Sequence, residues 1–105
     1  INAMGSNEQF WIWGAGAFGE KFLNGLKLMG FERRVSGFID SKAYKSTESF
    51  LSFKVLTKEC FFDTKMQLKE TFVVVASSGW TQIAEELKLR GLVYSRDFYC
   101  LQGLS

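Results

Sequence analysis

The stretch FWIWGAGAFGEKF, residues 10–22, decides how this chain is read. An apolar run rich in aromatic residues breaks abruptly into glycines, after which apolar residues return at helical spacing. Gly14-Ala15-Gly16-Ala17-Phe18-Gly19 fits the pattern G-x-G-x-x-G. The pattern is informative only where a strand precedes it, a helix follows it and an acidic residue waits at the end of the next strand.

The flanking sequence supplies those conditions. Residues 9–13 are short, aromatic and β-branched, as a buried strand should be. Phe18, Phe22, Leu26 and Met29 form one apolar helical stripe, and Gly30 stands where a left-handed residue ends a helix. VSGFID, residues 35–40, predicts a second strand, and FKVL, residues 53–56, a shorter third. SKAYKSTESFLS between them is polar and serine-rich, which predicts a surface loop with one helical turn at most. Thr57 is placed to cap a short helix over 58–63. FVVVA, residues 72–76, is unbroken and apolar, as a central parallel strand covered on both faces would be. Trp80, Ile83, Ala84 and Leu87 then predict a helix with Lys88 and Arg90 in its last turn and Gly91 closing it. Residues 97–101 supply a fifth strand.

Strands alternating with helices predict an α/β fold: a doubly wound, Rossmann-like parallel sheet of about five strands in a single domain, residues 4–105. Right-handed crossovers give the order 3-2-1-4-5, with a switch point between strands one and four. Ligands of such sheets bind there, beyond the carboxyl ends of the strands. Ile1-Asn2-Ala3 ahead of Met4 reads as a cloning remnant.

Composition narrows the chemistry. With 105 residues, 47% of them hydrophobic and 23% charged, the chain is of ordinary globular make-up and large enough for one core. A net charge of +2 from dispersed basic residues argues against a nucleic-acid partner. No apolar run approaches the ~20 residues of a membrane span, and no basic-then-apolar leader opens the chain, so a cytoplasmic protein without membrane insertion is expected. There is no histidine, and Cys60 and Cys100 form no C-x-x-C pair, so neither a metal site nor a histidine-activated nucleophile is expected. A Tyr-x-x-x-Lys pair is also missing: Tyr44, Tyr94 and Tyr99 are followed four residues on by Glu48, Phe98 and Gly103. No catalytic residue is assigned.

The binding residues follow from the turn and its surroundings. Asp40 ends strand two about 20 residues after Gly19, where a ribose-binding acid is expected. Gly14 makes the tight turn, Gly16 lets backbone approach a pyrophosphate, and Gly19 lets helix pack on sheet. The turn residues Ala15, Ala17 and Phe18 offer backbone N–H groups at a helix N-terminus, which favours an anion. Ser41 beside Asp40, and Ser77 and Ser78 across the crevice, complete the candidate set. For Ser78 and Thr81 the safer assignment is an N-cap of the next helix. Lys42 and Lys45 either reach a phosphate or are simply solvated. Trp11, Trp13 and Trp80 are expected in the core or at its rim.

IWGAGAFG, VSGFIDS, FVVVASSG and GLVYSRDFYCL together resemble the small Rossmann-like N-terminal domains of bacterial surface-polysaccharide enzymes, over residues 10–101. These are nucleotide-sugar acetyltransferases and membrane-linked nucleotide-sugar dehydratases or epimerases. The resemblance implies a domain of a larger protein that grips a nucleotide-sugar, or an NAD(P)- or CoA-like nucleotide, without being catalytic alone. It implies that Gly14, Gly16 and Gly19 face phosphate and Asp40 faces ribose or base. Its partner would be the catalytic domain of the parent protein, with a homo-oligomer as a further state. This chain departs from the pattern twice, with Ser41 in place of a second acid and SFKV in place of a Gly-x-Pro-Val turn. The alternatives are a regulatory NAD-sensing domain similar to those gating potassium transport, and a degenerate Rossmann module that serves assembly.

Overall fold

The computed structural model describes residues 9–41, 49–64 and 72–101. Along the chain these form β1 (Phe10–Trp13), α1 (Ala17–Leu28), a 3-10 turn (Glu32–Arg34), β2 (Val35–Ile39), β3 (Ser49–Phe50) and β4 (Phe53–Leu56). α2 (Lys58–Thr64), β5 (Phe72–Val75), α3 (Trp80–Leu89) and β6 (Phe98–Cys100) follow. Ile1-Asn2-Ala3, Lys42, Tyr44 and Lys45 lie outside the described residues.

The six strands make one mixed sheet in the order β3-β4-β2-β1-β5-β6. All pairings are parallel except β3 with β4, which is antiparallel. This corrects the expected five-stranded, all-parallel order. The added edge strand comes from the end of the serine-rich segment read as loop. Phe50 pairs opposite Phe53 across a two-residue turn, Leu51-Ser52, in which both residues have positive φ (53° and 72°). Neither residue is the Gly or Asn that announces such a turn, so the hairpin carried no sequence signal.

Side chains alternate across a strand, and here both faces are buried. From β1, Phe10 and Ile12 join Val74 of β5, Phe38 of β2 and Leu23 and Leu26 of α1 on one side. Trp11 and Trp13 join Val73 and Val75, Phe61 and Phe62 of α2 and Ala84 and Leu87 of α3 on the other. The Phe61 ring meets both indoles edge-on with centroids 6.2 Å apart. Gly37 leaves room for this packing, because a Cβ there would come within 2.6 Å of the Trp11 indole. The expected placement of Trp11 and Trp13 in the core therefore holds, and Trp80 packs half-buried against the same cluster.

α1 is rotated relative to the stripe read from the sequence. Gly19, Leu23 and Leu26 are its buried residues, Phe18 and Phe22 are only partly covered, and Met29 is 59% exposed. Close approach at Gly19 turns that face of the helix inward. Both long helices end as expected. Gly30 and Gly91 take φ of 77° and 93°, and Phe31 and Leu92 donate their N–H groups back to Leu26 and Leu87. With Gly30 to Lys27 and Gly91 to Lys88 bonded as well, each end is a Schellman motif. α2 starts as expected, with Thr57 Oγ1 accepting from the Cys60 N–H at 3.1 Å.

Candidate functional site

Three chain segments converge beyond the carboxyl ends of β1, β2 and β5. Backbone hydrogen bonds fasten them: Gly14 N–H donates to the Ile39 carbonyl at 2.8 Å, and Ala76 N–H donates to the Trp13 carbonyl at 3.0 Å. Between them opens a cleft of about 610 Å³, a volume within the range of small-molecule sites.

The glycines of the turn divide by what surrounds them. Gly14 has φ of 134°, and a Cβ there would fall on the Ala76 carbonyl oxygen. A Cβ at Gly19 would fall on the Gly14 carbonyl oxygen, with the Phe38 ring 3.3 Å away. These two glycines are demanded by packing alone. Gly16 is different. Its backbone is extended, with φ −148°, and apart from its chain neighbours no atom of the described residues lies within 4 Å of where its Cβ would stand. It lines the cleft at the N-cap of α1, where no side chain makes a capping hydrogen bond. The first N–H groups of that helix have no carbonyl partner within it, so they are donors aimed outward.

Asp40 stands on the β2 side of the cleft, half-buried, with Oδ2 accepting from the Ala15 N–H at 3.2 Å. Next to it Ser41 Oγ accepts from the Trp13 indole N–H at 3.2 Å, which ties the rim to a core side chain. On the β5 side, Ser77 Oγ accepts from the Gly79 N–H at 3.2 Å. The cap of α3 corrects an expectation. Its N-cap is Gly79, without a side-chain capping bond, so neither Ser78 nor Thr81 caps the helix. The chain turns on the Ser77 hydroxyl one step earlier, which leaves Ser78 exposed on the cleft.

Of the residues singled out from the sequence, Gly14, Ala15, Gly16, Ala17, Phe18, Asp40, Ser41, Ser77 and Ser78 all line this cleft. Gly19 does not; it lies buried beneath the turn. Trp13, Ala76, Gly79, Gln82 and Ile83 line it as well. For Gln82 a signal existed: it sits within the first turn of α3, and first turns at a switch point face the crevice. Asp40 is the one ionisable side chain among the described lining residues. No group of three or more His, Cys, Asp or Glu able to hold a metal occurs among the described residues. Nor is any described helix long and apolar enough to cross a membrane.

The groups whose ionisation the fold displaces flank β6 instead. Burial pushes the Cys100 thiol up, and burial with the neighbouring Tyr99 pushes up the Tyr94 phenol. The Arg96 guanidinium holds the Asp97 carboxyl down, helped by the Val93 N–H. None of these three groups lines the cleft. Comparison with family models, curated proteins and solved structures returned no match for this chain.

Proposed function

We propose that this chain is a Rossmann-like nucleotide-binding domain that holds an NAD(P)-like dinucleotide or a nucleotide-sugar in the cleft above β1, β2 and β5. The observation that carries the reading is Gly16. Packing accounts for Gly14 and Gly19, but none of the described residues occupies the space that the missing Gly16 side chain leaves. An open glycine beside unpaired helix N–H groups suits a diphosphate, which must approach the backbone within hydrogen-bonding distance. Asp40 lies on the β2 side, where ribose hydroxyls would meet it. In this reading the domain serves a surface-polysaccharide enzyme as a grip on its nucleotide, and another domain supplies the chemistry.

A thermal-shift screen of NAD, NADP, CoA, UDP-sugars and S-adenosylmethionine tests it. A ligand at a hundred times its Kd stabilises by roughly 2.7 kcal/mol, a shift easily seen. Stabilisation by NAD or a UDP-sugar is the expected result. No shift from any nucleotide at millimolar concentration overturns the reading.

A further inference from the structure

We propose that Gln82, seconded by Ser78, hydrogen-bonds the part of the nucleotide that lies beyond its diphosphate and so selects it. The inference rests on the nucleotide reading above. The cleft's polar side chains divide into two groups. Asp40, Ser41 and Ser77 each accept a hydrogen bond from the protein itself, from Ala15, the Trp13 indole and Gly79 in turn. They hold the walls in place. Gln82 and Ser78 also face the cleft, and neither has a partner among the described residues.

Their position sets which part of a ligand they meet. Gly16 and the N-terminus of α1 follow β1, and Asp40 follows β2 on one side of it. Ser78 and Gln82 follow β5 on the other side. A nucleotide with ribose toward Asp40 and diphosphate at Gly16 carries its remaining moiety to the β5 side. There the chain presents a carboxamide, which both donates and accepts, and a hydroxyl, which does the same. The first turn of α3 contains no acidic residue, and no basic side chain lines this wall among the described residues. A group with neighbouring donors and acceptors fits such a surface: the hydroxyls of a hexose, or the carboxamide and ribose of a nicotinamide riboside.

Calorimetric titration of the native chain and Gln82→Ala with UDP, UDP-glucose, ADP and NAD decides it. Gln82 is exposed on a helix, and alanine favours helix, so the variant keeps the fold. In the native chain UDP-glucose is expected to bind more tightly than UDP, or NAD more tightly than ADP; the pair that differs identifies the moiety. Gln82→Ala should weaken the larger ligand of that pair about three- to tenfold, the worth of a neutral hydrogen bond, and leave the smaller within twofold. Equal weakening of both ligands, or of neither, overturns the role of Gln82 while nucleotide binding stands. Failure of all four ligands to bind the native chain removes the nucleotide reading itself, and this inference with it.

Discussion

The Ala15 N–H donates to Asp40 Oδ2 at 3.2 Å, so the acid at the end of β2 is bonded to the glycine turn at the end of β1. A carboxylate accepting from a backbone amide is worth more than a neutral acceptor, about 1.5–3 kcal/mol against about 1. Half-burial and solvent competition put Asp40 at the low end. Asp40→Ala is therefore expected to lower the free energy of unfolding by about 1–2 kcal/mol, and Asp40→Asn, which retains an acceptor, by about half as much. Urea denaturation measures both. Equal stability of Asp40→Ala and the native chain would show that the bond contributes nothing.

The three glycines of the turn should respond unequally to alanine. Gly14→Ala and Gly19→Ala place a methyl against backbone oxygens, which cannot step aside as a side-chain tip can, and Gly14 adds an unfavourable φ. Each is expected to cost about 3 kcal/mol or more and to lower the melting temperature sharply. Gly16→Ala meets open space and negative φ, so its cost should stay under about 1 kcal/mol, the scale of a changed N-cap. Gly16→Val should likewise leave the circular dichroism spectrum native while abolishing nucleotide binding. An unfolded Gly16→Ala, or a native-like Gly14→Ala, contradicts this ranking.

The same contrast explains what was legible in the sequence. G-x-G-x-x-G identified the turn, because a glycine forced by a backbone clash and a glycine facing open space leave the same letter. Only the geometry separates Gly14 and Gly19 from Gly16. The long apolar runs at β1 and β5 and the glycine ends of α1 and α3 were legible because each reflects a local rule. The facing of α1 was not, since Phe18, Phe22 and Met29 mimic a buried stripe while contact at Gly19 sets the rotation. Edge strand β3 stayed hidden because tertiary pairing with β4 imposes a turn that its residues do not prefer. Gln82 escaped notice because a polar residue on a helix usually faces solvent.

The turn imposed between β3 and β4 is strained. Leu51 and Ser52 both sit in the left-handed region, which costs a non-glycine residue roughly 1 kcal/mol. Leu51 packs partly on the core, so its side chain offsets some of that cost. Ser52 is exposed and has no such compensation. Ser52→Gly should stabilise the chain by about 0.5–1 kcal/mol, net of the added freedom in the unfolded state. Thermal denaturation at neutral pH is sufficient to see it, and a lower melting temperature would contradict the turn geometry.

Acid should weaken the turn into β6. Asp97 Oδ2 accepts from the Val93 N–H at 2.8 Å, and Arg96 pairs with the same carboxylate at 2.8 Å. Its folded-state pKa lies below the ordinary carboxylate value, Arg96 being the main cause. The folded state therefore holds the proton less readily than the unfolded one. The resulting stabilisation is complete above the unfolded-state pKa of about 4 and is lost as pH falls through the folded-state value. The native chain should lose stability between pH 5 and 3, and Asp97→Asn, already weaker at pH 7, should lose less over that interval. Parallel acid-induced losses in the two proteins would show that another group carries the effect.

The charge of Asp40 bears on the choice between dinucleotides. A carboxylate that accepts from ribose hydroxyls must also repel a phosphate placed on the 2′ oxygen. If the ligand is a dinucleotide, NAD should bind the native chain more tightly than NADP. Asp40→Ala should weaken NAD by about 1.5–3 kcal/mol, the range for hydrogen bonds to a charged group. It should weaken NADP less, because the variant loses the repulsion together with the bond, and the gap between the two ligands narrows. Asp40→Asn separates the contributions, since it removes the charge and retains an acceptor for Ala15 and the ribose. Its NADP affinity should rise relative to its NAD affinity while the turn stays closed. Titration of both dinucleotides against the three proteins gives the answer, and a gap unchanged by Asp40→Asn places the 2′ oxygen away from Asp40.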